Sequence, residues 1–320
     1  MNGGALAFTA QTAAGRTCPV DYTYSPAVFD RTADFAADIL YVVGGLYGNL
    51  AALAEVERLA AAERGPVSIV FNGDYHWFDA ERHWFAEVER GVARHRVLRG
   101  NVETEIARSA DIGAGCGCAY PEDVGSDVVT RSNEILEMLR LAVPIGARRQ
   151  IGQLPMHCVA GVGGMRIGIV HGDAAALAGW RFGQDELDDP KHSNWLADVR
   201  RLSTIDVFAS THTCLAALRD FALAEGRLTV INNGAAGMPN FTGTRYGLIS
   251  RIATTPSPQR PVYGLARDGL HIDAVAIHYD QQAFLDGFLA CWPPGSPAHA
   301  SYFQRIAAGP AYSPAQASMP

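Results

Sequence analysis

Six short apolar runs, each closed by a turn of small and polar residues, constrain this chain more than any other feature. Ile39–Val43 is followed by Gly44-Gly45-Leu46-Tyr47-Gly48-Asn49, Val67–Phe71 by Asn72-Gly73-Asp74, and Arg96–Leu98, after Arg99, by Gly100-Asn101. Met165–Val170 leads into His171-Gly172-Asp173, Asp206–Ala209 into Thr211-His212-Thr213-Cys214, and Leu228–Ile231 into Asn232-Asn233-Gly234. Short β-rich runs bounded by such turns read as strands. Helical patterns lie between several of them: an apolar stripe from Leu50 to Ala60 after Asn49 as N-cap, then 131–141 and 192–202. Strands alternating with helices make a layered α/β protein. Open α/β sheets take ligands at the carboxyl ends of their strands, so the polar turns are expected to gather on one edge.

Runs 248–253, 262–267 and 270–278 follow with little helix between them and are expected to form a second, mainly antiparallel sheet, giving a sandwich with helices outside. The main domain is then 36–290, preceded by an arm over 1–35 with a strand near Val20 to Tyr24, and followed by an irregular extension over 291–320. Gly161, Gly163 and Gly164 lack dinucleotide-loop spacing and read as a hairpin turn. At 320 residues and 48% hydrophobic the chain can bury a large core. Its net charge of −7 argues against a broad nucleic-acid surface. The absence of an 18-residue apolar run or a basic-then-apolar start argues against a membrane span or leader. Six scattered cysteines suggest reduced thiols, so the expected location is cytoplasmic. The oligomeric state leaves no mark on the sequence.

One Asp, one Asn and two His at separate strand ends suit a first-row divalent cation, because imidazole combined with hard oxygen favours Mn, Fe or Zn. Taken singly, Asp74 reads more simply as a turn-forming carboxylate, His171 and His212 as hydrogen-bonded core residues, and Asn101 as part of a common Gly-Asn turn. Their order changes the weighing. From about residue 39 to 240 the blocks resemble those of the calcineurin-like metallophosphoesterases, in particular the phosphodiesterase-like branch. That resemblance implies a four-layer α/β/β/α sandwich and hydrolysis of a small phosphorylated substrate.

By position, the resemblance makes Asp74 the bridging aspartate, Asn101 the amide ligand, also placed to touch substrate, His171 the lone histidine and His212 the first histidine of the last block. In the family these four hold one metal. The other metal's private ligands would stand at 45, 47 and 214, where this chain has Gly45, Tyr47 and Cys214. The implied site is therefore altered: a single ion, or a rebuilt pair, instead of two metals about 3.5–4 Å apart. Val102 replaces the histidine that often follows the amide ligand, and Glu103 stands where the phosphodiesterase branch has Asp. His76, on the same loop as Asp74, is a candidate general acid or extra ligand, with packing beside Trp77 and Phe78 as the plainer reading. Arg99 is a candidate phosphate binder or an ordinary surface cation. Cys116 and Cys118 read as structural, with Cys214 as a possible thiolate ligand and Tyr47 as a possible phenolate ligand. Two functions remain in view: a metal-dependent phosphoesterase, and a non-catalytic protein that uses the same fold for binding or assembly.

Overall fold

A computed structural model describes residues 14–110 and 112–318. The first half runs β1 (Phe35–Ala36), β2 (Ile39–Val43), α1 (Leu50–Ala61), β3 (Val67–Asn72), α2 (Arg82–Val92), β4 (Arg96–Leu98), α3 (Asn101–Ala107), α4 (Ser126–Ala142) and α5 (Ile145–Gly152). Then come β5 (His157–Val162), β6 (Met165–Val170), α6 (Gln184–Asp188), α7 (Ser193–Ser203), β7 (Val207–Ser210), β8 (Ala216–Leu223) and β9 (Gly226–Asn233). The chain closes with β10 (Gly247–Ala253), β11 (Tyr263–Arg267), β12 (Leu270–Ile277), α8 (Gln281–Cys291), α9 (Pro297–Ala308) and α10 (Pro314–Ala317).

Two six-stranded sheets pack face to face, in the orders β1-β5-β6-β7-β9-β8 and β11-β12-β10-β2-β3-β4. The period of two along a strand explains the layering. In fully buried β2, Ile39, Tyr41 and Val43 point outward to Leu53, Val56 and Leu59 of α1, while Leu40 and Val42 point inward to Ile167, Ile169 and Val207 of the other sheet. On the far side, Leu196 and Val199 of α7 cover Phe208 and Val230. The result is the expected four-layer α/β/β/α sandwich. Helices α3, α4, α8 and α9 form a further apolar cluster around Phe78, Ile135, Phe288 and Trp292. Among the described residues no helix is long and apolar enough to cross a membrane.

Three expectations need correction. β10, β11 and β12 do not make a sheet of their own: β10 pairs antiparallel with β2, Ser250 opposite Val42, so the late strands complete the sheet begun by β2–β4. Val20–Tyr22 is a 3₁₀ turn, closed by the Tyr22 N–H on the Pro19 carbonyl at 3.0 Å, and Thr23 makes only an isolated bridge to Ala176. The stretch 291–320, expected to be irregular, carries α9 and α10, each with Ser as N-cap and Pro at its first position. Proline at that position starts a helix because its missing N–H would have had no partner there. The Gly163-Gly164 turn does close a hairpin, with Val162 opposite Met165.

Candidate metal centre

Each of the four candidate ligands leaves the carboxyl end of a strand. Asp74 follows β3, Asn101 follows β4 as the first residue of α3, His171 follows β6, and His212 follows β7. The two sheets bring them together. His171 Nε2 lies 3.0 Å from Asn101 Oδ1, 3.1 Å from His212 Nδ1 and 3.4 Å from Asp74 Oδ1. One ligand atom from each of Asp74, His171 and His212 falls within 4.8 Å of the others, a spacing that suits a metal ion.

The outer contacts decide what these inner atoms are. His171 Nδ1 is 2.9 Å from the Asn72 carbonyl and His212 Nε2 is 3.1 Å from the Cys118 carbonyl. A carbonyl only accepts, so those nitrogens carry the protons and the facing nitrogens carry lone pairs. Asn101 Nδ2 donates to the Cys116 carbonyl at 2.9 Å, which turns Oδ1 inward. Burial lowers the pKa of His171 to about 4, against the pull of the Asn72 carbonyl, and burial plus neighbouring His171 lowers that of His212 well below its ordinary value. Both rings are neutral at pH 7. Burial alone pushes the Asp74 carboxyl up to about 7, a shift that a bound cation would reverse. With Asp74 ionised, as a bound cation would hold it, four acceptors face one point, which is a donor set for a cation.

The loop that presents Asp74 is tightly built. Gly73 has φ +95°, and a Cβ there would come within 2.5 Å of Gly100 N and 2.6 Å of His171 Nδ1. Asp74 itself is left-handed at φ 52°, a conformation that costs a non-glycine residue about 1 kcal/mol or more. Buried Glu103 holds it: Oε2 accepts the N–H of Asp74 and of Gly100 at 2.8 Å, and Oε1 accepts those of Tyr75 and His76 at 3.1 and 3.2 Å. Burial and then Asp74 push the Glu103 carboxyl up, while His76 and the backbone donors oppose them.

A sequence model described as calcineurin-like phosphoesterase matches residues 34–234. The chain belongs to the calcineurin-like phosphoesterase family. A metallophosphoesterase from Sphaerobacter thermophilus superposes with a TM-score of 0.54 at 14% identity, covering 85% of this chain and all of that one. A hypothetical protein from Pyrococcus horikoshii OT3 gives 0.57 at 16% identity, over 86% of this chain and 99% of that one. These likenesses support the shared fold. No curated protein matches the sequence.

Gly45, Tyr47 and Cys214, which the sequence resemblance sets at the other metal's private positions, meet in the structure. The Tyr47 ring covers Gly45, where an added Cβ would lie 2.8 Å from Tyr47 Cε2, and the Tyr47 hydroxyl is 2.9 Å from Cys214 Sγ. Burial first, and Cys214 next, pushes the Tyr47 phenol well up, and burial raises the Cys214 thiol.

Two candidate residues fall elsewhere. The His76 ring is fully buried, with Nδ1 on Asp79, Nε2 3.1 Å from Glu89 and its face stacked on Phe85 at 3.9 Å. Burial alone would lower its pKa, but Asp79 and then Glu89 overcome this and raise it to about 10. The Arg99 side chain turns to the Gly152 carbonyl and lines a different cavity, beside Asp21 and Arg108. Sequence reading missed other parts of the site. The Cys116-Gly117-Cys118 loop acts through carbonyls, which any residue type could supply, so no side-chain pattern betrays it. Arg131 of α4 and Arg305 of α9 line a cavity of about 360 Å³ shared with Asp74 and His212.

Proposed function

We propose that the protein is a metal-dependent phosphoesterase in which Asp74, Asn101, His171 and His212 hold one Mn, Fe or Zn ion, and that it hydrolyses a phosphomonoester or small phosphodiester in the cytoplasm. One observation carries the reading: four inward acceptor atoms, 3.0 to 3.4 Å from His171 Nε2 or supplied by it, three of them oriented by a carbonyl behind them. Neutral imidazoles beside a carboxylate and an amide oxygen match the preferences of first-row divalent ions. When bound, such an ion supplies Lewis-acid polarisation of a phosphoryl oxygen and a water of lowered pKa. The chain does the rest. Glu103 keeps Asp74 aimed inward. Arg305, anchored by Nη2 on the Cys214 carbonyl, offers a fixed cation to the phosphoryl group. Trp77 and Trp180 keep bulk water from the cavity wall. Tyr47, over Gly45 and with its hydroxyl on Cys214 Sγ, favours a single-ion site.

That same replacement favours one rival, a protein that uses the fold for binding alone. Turnover of p-nitrophenyl phosphate and bis(p-nitrophenyl) phosphate, with each metal in turn, separates the two. The enzyme reading expects Asp74→Ala to lose more than about a hundredfold in rate. Wild-type turnover no higher than that of the variant would support the binding reading.

A further inference from the structure

The cavity that opens onto Asp74 and His212 is walled by the rings of Tyr47, Trp77, Tyr120, Trp180 and Tyr302, from five separate segments. Trp180 stands edge-on to His212 with centroids 5.2 Å apart, and Tyr120 lies 6.0 Å from Trp180. Tyr302 of α9 packs T-shaped on Trp77 at 6.4 Å. Val102 and Val128 add apolar wall, and Asp74 is the only carboxylate among the lining residues, against two arginines. Arg131 is already engaged by Ser301 and Asp127, whereas only Nη2 of Arg305 has an acceptor among the described residues. Tyr302 and Arg305 come from α9, beyond the family-matched span 34–234.

Such a cavity disfavours a polyol as the organic group beside the phosphate, because its hydroxyls would lose hydration against ring faces without gaining hydrogen bonds there. A planar aromatic group would bury apolar area against the rings and gain edge or face contacts. We propose that the cavity selects phosphate esters whose organic group is a planar aromatic ring, seated against Trp77, Tyr120, Trp180 and Tyr302, with Arg305 on the phosphoryl oxygens. This rests on the phosphoesterase reading above.

Calorimetric titration of the metal-loaded protein with phenylphosphonate and methylphosphonate, neither of which has an ester bond to hydrolyse, tests it. Phenylphosphonate binds at least about tenfold tighter than methylphosphonate in the wild type. Tyr302→Ala removes most of that difference by weakening phenylphosphonate alone, Tyr302→Phe keeps it, and Arg305→Gln weakens both ligands alike. Equal affinity for the two phosphonates, or equal weakening of both by Tyr302→Ala, overturns the aromatic selection and leaves the phosphoesterase reading standing. Failure of both phosphonates and of inorganic phosphate to bind overturns that reading and this proposal with it.

Discussion

Gly45 and Tyr47 are a matched pair, since a side chain at 45 would need the space of the Tyr47 ring 2.8 Å away, in a backbone at φ +63°. Gly45→Asp alone is therefore expected to lower stability by about 2 kcal/mol, measured by urea unfolding, without raising metal content. Combined with Tyr47→His and Cys214→His, the same change supplies the donors that the sequence resemblance implies for a second ion and is expected to take one up. His76 makes a different kind of contribution. Its pKa is raised from the ordinary histidine value near 6.5 to about 10, so its pairing with Asp79 stabilises the fold fully below about 6.5 and is lost as pH rises through about 10. His76→Gln is expected to cost about 3 kcal/mol at pH 6, and the gap from wild type should close toward pH 10. A pH-independent gap would mean that packing on Phe85, and not charge, is what His76 supplies. Arg99 and His76 show why nearness in sequence misleads at this scale: each is within two residues of a ligand, yet its side chain leaves on another face of the loop.

At the scale of elements, Glu103 links two turns that carry ligands, because one carboxylate accepts N–H groups from the loop after β3 and from Gly100 at the start of α3. Glu103→Gln puts an NH₂ group against backbone donors. It is expected to lower metal affinity by about tenfold or more, read by competition with a fluorescent chelator, while Glu103→Asp retains part of the wild-type affinity. The strands and their turns were legible because each is a local signal: an apolar run, then glycine with a polar residue. Pairing was not. Which strand β10 joins depends on residues some two hundred positions away, Ile252 opposite Leu40, and nothing within 247–277 states it. β8 escaped notice because AALRDFAL reads equally as helix, and only its register with β9 makes it a strand. α9 was hidden by its proline, which marks a helix start when serine precedes it.

For the whole molecule, the sandwich sets one edge where both sheets end, and the centre is complete only when they meet: Asp74 and Asn101 come from one sheet, His171 and His212 from the other. An ion at this point would tie the halves together, so its removal should act on global stability. Saturating metal is expected to raise the unfolding temperature over chelator-treated protein, and Asp74→Ala should abolish the difference. The most direct test of the central claim is metal content per chain by plasma mass spectrometry, after reconstitution, for wild type, Asp74→Ala and His212→Ala. About one Mn, Fe or Zn ion per wild-type chain, lost in both variants, is the predicted result. Two ions per wild-type chain, or none, would contradict a single ion held by these four residues.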